Sequence, residues 1–110
     1  MFARRTDEGY GTPAPGIRMK TLCWGERTLM TEFRLKAGSE LPQHEHPHEQ
    51  TGYLVSGRIL LTVGDECREV APGDSWSIPP GVRHGAEVLA ESIAVEVFSP
   101  VREDYLPEGE

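Results

Sequence analysis

The chain is poor in cysteine, in positive charge and in long apolar runs. Its two cysteines, Cys23 and Cys67, stand far apart and fit no CxxC pattern. Two buried free thiols are therefore expected, rather than a disulfide or a redox pair. Lys and Arg number 11 against 18 Asp and Glu, which leaves a formal net charge of −7. An acidic surface repels phosphate backbones, so no nucleic-acid partner is expected. No run is apolar enough to span a bilayer, and no charged-then-apolar leader opens the chain, so the expectation is a soluble cytoplasmic protein with no membrane partner. No stretch sustains a helical period, and there is no internal repeat. At 110 residues the chain is one domain by size, with room for a single small core.

Glycine and proline are plentiful, with 12 and 9 copies, and such frequent punctuation suits many short strands. Residues 1–16 are polar and rich in Gly and Pro, and they read as an arm or as an edge segment that orders against a partner. Residues 17–100 hold short runs of alternating side chains. In TLMTEFRLKAG, Leu29, Phe33 and Leu35 share one parity while Met30, Glu32, Arg34 and Lys36 share the other, the period of a half-buried strand. GYLVSGRILLTVGDECREV reads as two strands turning near Ser56-Gly57, with a further turn at Gly64-Asp65. The shorter runs SWSIPPG, RHGAEV and ESIAVEVFSP follow. Residues 101–110 are an acidic tail expected to end in disorder. The pattern predicts an all-β sandwich or barrel of roughly eight to ten strands.

Three of the four histidines fall in QHEHPHEQTGY. His44 and His46 are two apart, which on a strand puts both imidazoles on one face. Pro42 and Pro47 bracket them, as suits a strand at a barrel rim. A turn through Pro47, His48 and Glu49 can bring the Gln50 amide oxygen beside the pair. His84 closes GDSWSIPPGVRH after the turn at Pro79, Pro80 and Gly81. Two histidines from one strand and one from another make a facial set that leaves coordination positions open. A solvated polar loop is the plain alternative for the cluster. His48 and Glu49 fit no strand-face geometry with the pair and are read as surface or supporting residues.

Gly38 to Gly57 resembles the first cupin motif, Gx5HxHx3-4Ex6G, and Gly73 to His84 resembles the second, Gx5PxGx2H. Fifteen residues separate Gly57 from Gly73, as in small cupins. The resemblance covers about residues 25–98. It implies a single-domain cupin jelly-roll β-barrel (a double-stranded β-helix) holding one divalent transition metal ion: zinc, nickel, manganese or iron. By position, His44, His46, Gln50 and His84 correspond to the metal ligands. Gln50 stands where the family usually has Glu, and Val88 where an Asn is frequent. A neutral glutamine leaves the ion nearly its full charge, which strengthens polarisation of a bound oxygen. The alternative for Gln50 is a hydrogen bond to bound water.

The last apolar run, ESIAVEVFSP, has Ile93, Val95 and Val97 on one parity and Ala94, Glu96 and Phe98 on the other. Periodicity favours the aliphatic trio inside and Glu96 in solvent. If the other parity lines the cavity, Glu96 is a carboxylate near the metal. HEHPHEQ followed by VFSPVREDYL resembles the pectin-degradation branch of the cupins, which opens 4,5-unsaturated uronates to linear keto-uronates. That branch carries D-x-F-x3-R near the end of the last strand; the matching positions here are Glu96, Phe98 and Arg102, with Glu in place of Asp, which keeps the acid but lengthens it by one methylene. The resemblance implies Glu96 as the acid/base, Arg102 on the substrate carboxylate and Phe98 against the sugar ring. A salt bridge to Glu103 or Asp104 is the plain alternative for Arg102. Core packing is the expected role of Tyr53, Trp76 and Met30, ahead of lining the cavity.

The resulting expectation is an isomerase-type, ring-opening enzyme acting on a small anionic sugar. A cupin dioxygenase or cyclase, or a non-catalytic metabolite-binding cupin, are the alternatives. The resemblance also implies a homodimer, with residues 1–20 reaching toward the partner.

Overall fold

The computed structural model describes residues 1–107. Eight strands follow one another: β1 (Gly11–Ala14), β2 (Ile17–Trp24), β3 (Leu29–Leu35), β4 (Glu40–His44), β5 (Glu49–Val63), β6 (Glu66–Val70), β7 (Ser75–Ile78) and β8 (His84–Ser99). A 3-10 turn at Glu103–Tyr105 is the single helical element among the described residues. The strands form an antiparallel sheet in the order β1-β2-β3-β8-β5-β6, with β4 added on β8 and β7 on β5. This is the all-β jelly-roll barrel that the sequence predicts. Among the described residues no helix is long and apolar enough to cross a membrane.

Alternation dictates most of this. Along β3, Leu29, Thr31, Phe33 and Leu35 are buried and the residues between them are not. Phe33 and Leu35 meet Ile17, Leu54, Ile59 and Val88 in the core. Thr31 is buried with its hydroxyl paired, donating at 3.0 Å to the Glu96 carbonyl. The turn expected at Gly64-Asp65 joins β5 to β6, with Val63 opposite Glu66 and Gly64 at φ +60°. Glycine is favoured first in a two-residue hairpin of this kind.

Ser56-Gly57, by contrast, is not a turn. β5 runs unbroken from Glu49 to Val63, and its pairing with β8 shifts register at Leu54/Ser56, Ser56/Arg58 and Arg58/Ile59. Gly57 sits at φ +92°, and a Cβ there would lie 2.1 Å from the Ser92 hydroxyl. The buried Ser92 hydroxyl accepts the Arg58 N–H at 2.9 Å and donates to the Ala90 carbonyl at 2.7 Å. A side chain on the neighbouring strand thus replaces ladder bonds lost at the bulge, and the strand bends where the sequence suggests a reversal. RHGAEV and ESIAVEVFSP likewise belong to one strand, β8.

The thiols are free, but they are not the buried pair expected: Cys67 is exposed and Cys23 half-buried. Both sit on strands whose inner positions are taken by other residues. Within residues 1–16, Gly11–Ala14 pairs with β2, while most of the preceding residues lie exposed. The disorder expected at the end of the tail concerns residues 108–110, which lie outside the described residues.

Candidate metal centre and its cavity

Two rows of side chains cross the inside of the sheet. In one, Leu29, Phe98, Gln50 and Ile78 stand opposite one another on β3, β8, β5 and β7. In the next, Thr31, Glu96, Gly52 and Trp76 do the same. Residues paired across antiparallel strands share a face, so Gln50, Glu96 and Trp76 point into the barrel together. The expectation from periodicity, with Ile93, Val95 and Val97 inside and Glu96 in solvent, is therefore corrected. Ala94, Glu96 and Phe98 are buried at 3, 8 and 1% exposure, and the aliphatic trio is half-buried on the other face. Hydrophobic alternation says that a strand has two faces; the partners opposite decide which one is inside.

The histidines meet at the end of the same interior. His44, the last residue of β4, stands opposite His84, the first of β8. His46 lies past the end of β4, not on it as the HxH spacing suggests. The loop it occupies is tied down by the Gly81 N–H, which donates to the His46 carbonyl at 2.9 Å. The His44 and His84 rings are 4.2 Å apart between centroids, and His46 and His84 are 4.8 Å apart. One ligand-capable atom from each of the three lies within 4.8 Å of those of the other two. His48 is not part of this group; its ring lies edge-on to His46 at 5.8 Å and its carbonyl accepts from His46.

The hydrogen bonds settle which ring nitrogens are available. Nδ1 of His44 lies 2.9 Å from the Pro42 carbonyl, Nδ1 of His46 3.0 Å from the His48 carbonyl, and Nδ1 of His84 2.9 Å from the Val82 carbonyl. A carbonyl only accepts, so each Nδ1 carries the proton and each neutral ring turns an Nε2 lone pair inward. Nε2 of His84 is buried with no hydrogen-bond partner. Nε2 of His46 lies 2.9 Å from Oε1 of Gln50. The Gln50 amide nitrogen donates to Glu96 Oε1, so it is the amide oxygen that faces His46. Two acceptors at that distance repel unless a cation or a proton lies between them. Burial lowers His46 and His84 below the ordinary imidazole value and the nearby Arg102 charge acts the same way, while the Gln50 oxygen opposes the shift at His46. The donor set of three imidazole nitrogens and one amide oxygen fits a divalent transition metal ion.

A cavity of about 340 Å³ opens beside this cluster, within the size range of small-molecule sites. His44, His84, Gln50, Trp76, Glu96 and Arg102 contribute to its wall, with Phe98 and Tyr105. Glu96 is held by two donors on one oxygen: the Gln50 amide and the Trp76 indole N–H, the latter at 3.1 Å. Burial pushes its carboxyl above the usual range, and the two donors oppose that shift. Arg102 lies over the Phe98 ring at 5.1 Å and the Tyr105 ring at 4.0 Å. It also donates from Nε and Nη2 to Asp104 at 3.2 and 2.8 Å. The salt bridge and the cavity position coexist.

A family model described as a Cupin domain matches residues 31–99. The chain belongs to the cupin family. The pectin degradation protein KdgF of Dickeya dadantii (strain 3937) is 29% identical to this cupin over 93 residues, covering 83% of this chain and 84% of that protein. The solved structure of KdgF from Halomonas sp. matches with a TM-score of 0.90 at 29% identity, covering 96% of this chain and 98% of that one. Oxalate decarboxylase OxdC of Bacillus subtilis (strain 168) is 28% identical over 86 residues, 74% of this chain but 22% of that protein. Cupins named for different chemistries thus resemble this chain, and the choice among chemistries rests on the cavity wall.

Of the residues named from sequence, His44, Gln50, His84, Glu96, Phe98 and Arg102 line this space, and His46 joins them through Gln50 and His84. Tyr53 and Met30 do not: they are 49 and 37% exposed on the outer face. Trp76 does both of the things weighed for it: it packs against the core and lines the cavity. Its signal is the alternation of SWSI, which puts Trp76 on the same face as the buried Ile78. Tyr105 went unnoticed. It reaches the cavity because Thr21 of β2 donates to its carbonyl at 2.6 Å, a contact no local pattern announces.

Proposed function

We propose that this cupin is a metal-dependent isomerase that opens the ring of a 4,5-unsaturated uronate, giving the linear keto-uronate. The observation that carries this reading is Glu96, a buried carboxylate on the inner face of β8 that bonds Gln50 and shares the cavity wall with His44 and His84. The likeness to proteins named for pectin degradation supports it.

A divalent ion at His44, His46, His84 and Gln50 supplies Lewis-acid polarisation of substrate oxygens. The protein's own groups handle the rest. Gln50 and Trp76 occupy Oε1 of Glu96, and among the described residues Oε2 has no hydrogen-bond partner. Oε2 takes the proton from the hemiacetal hydroxyl, the bond from C1 to the ring oxygen breaks, and C1 becomes the aldehyde. The electron pair leaves on the ring oxygen as an enolate. Protonation at C4 by the proton taken up on Oε2 then converts that enolate to the C5 ketone. One proton is removed and one returned, so the reaction is a net isomerisation needing no oxidant. Asp104 takes the Nε and Nη2 edge of Arg102, and the remaining edge is the one to receive the substrate carboxylate. Phe98, between His46 at 5.7 Å and Tyr105 at 5.4 Å, gives the sugar ring an apolar wall.

The test follows the absorbance of unsaturated galacturonate with metal-replete and chelated protein. Metal-dependent loss of absorbance supports the proposal, and its absence overturns it. Oxygen uptake with a phenolic substrate would indicate a dioxygenase, and binding without turnover a metabolite-binding module. A cytoplasmic location and a homodimer belong to the same proposal. The outer face leaves Tyr53 and Val55 49 and 47% exposed, as pairing of two copies would require; a monomeric mass in solution removes the dimer.

A further inference from the structure

A glutamine amide can present either end to a metal, and only its oxygen is a good ligand. In this cupin the choice is made outside the histidine cluster. Gly52 stands between Glu96 and Trp76 in the row that crosses β8, β5 and β7. A Cβ on Gly52 would lie 2.2 Å from the Trp76 ring, so the indole lies in a slot that only glycine leaves open. From that slot the indole N–H reaches Glu96 Oε1 at 3.1 Å. An oxygen accepting that bond also accepts from the Gln50 amide nitrogen, and so the Gln50 oxygen faces His46 Nε2 at 2.9 Å.

We propose that Gly52, Trp76 and Glu96 form a positioning device that orients the Gln50 amide oxygen-first toward the metal, and so sets the metal affinity. This gives Glu96 a duty separate from proton transfer, carried by the other carboxylate oxygen. The inference rests on the metal centre, not on the uronate, so a chain that opens no uronate leaves it standing. Partners of this kind, one step behind a ligand, change metal affinity by about 10–100-fold when removed.

The experiment is a zinc and nickel titration of the apo chain in competition with a chromophoric chelator, without substrate. Folding of each variant is checked by circular dichroism and thermal melting. Glu96→Ala removes the acceptor and should weaken affinity about 10–100-fold. Glu96→Gln keeps an acceptor oxygen for both donors and should bind within about threefold of the parent, well short of that loss. Trp76→Phe and Gly52→Ala should lose affinity in the same direction but by less. In a Gln50→Ala background the amide is gone, so Glu96→Ala should add nothing further. The proposal is overturned if Glu96→Ala binds as tightly as the parent, if Glu96→Gln falls as far as Glu96→Ala, if the effects of Gln50→Ala and Glu96→Ala simply add, or if the parent binds neither ion.

Discussion

The two faces of β8 are composed the wrong way round for a simple barrel. The outward set, Ile93, Val95 and Val97, is wholly aliphatic and half-buried, while the inward set of Ala94, Glu96 and Phe98 contains a carboxylate and is buried. An apolar interior would reject Glu96. Here Gln50 and Trp76 donate to it, and Thr31 binds its carbonyl. The difference teaches that the inside of this protein is a mostly apolar cavity with a polar end, where Phe33, Leu35 and Ile59 share the wall with Gln50, Trp76 and Glu96. A charged residue on an inward parity then marks the polar end.

Breaking the inner face should cost most. Glu96→Gln keeps the shape but removes the proton carrier, and turnover of unsaturated galacturonate should fall on the order of 10²–10⁴-fold. Undiminished activity would return Glu96 to a purely supporting role. Phe98→Ala empties a site 1% exposed, and chemical denaturation should show a loss of about 3–5 kcal/mol. Val95→Thr on the outer face should change stability by about 1 kcal/mol or less by the same measurement. A loss as large as that of Phe98→Ala would mean that the outer face is covered in solution, and would sharpen the case for a dimer.

The smallest effect lies just past the strand's end. The Arg102 guanidinium holds the Asp104 carboxyl below its usual value of 3.8. A depressed carboxyl stabilises the fold above its unfolded value, and that contribution is lost as pH falls through the lower folded value. Acid melting curves of the parent should show this slope below pH 3.8, and Asp104→Asn should remove it. Asp104 is 59% exposed, so the change is slight.

How much of this was legible beforehand varies residue by residue. His44, His46 and His84 were legible because spacing and turn chemistry bring them together, and β3 because its parity is clean. Gln50 needed the motif as well as the spacing. The bend at Ser56-Gly57 was not legible, because the Ser92 hydroxyl that completes it lies 34 residues or more away in the chain. The slot for Trp76 was hidden for the same reason: a glycine on one strand makes room for an indole on another. Local patterns report periodicity and turns, and they are silent about side chains that cross between strands.

The three imidazoles are aimed by main-chain oxygens at Pro42, His48 and Val82. Their aim is therefore written in the backbone path of β4 and of two short loops, and not in the side chains along them. Exchanging one residue for another at those three positions leaves the oxygens in place, so long as the loop keeps its path. Adding or deleting a single residue between Pro42 and Gln50, or between Pro79 and His84, swings an oxygen away from its ring. For anyone re-engineering the centre, loop length is the quantity to hold constant, and the side chains at positions 42, 48 and 82 are the ones free to vary.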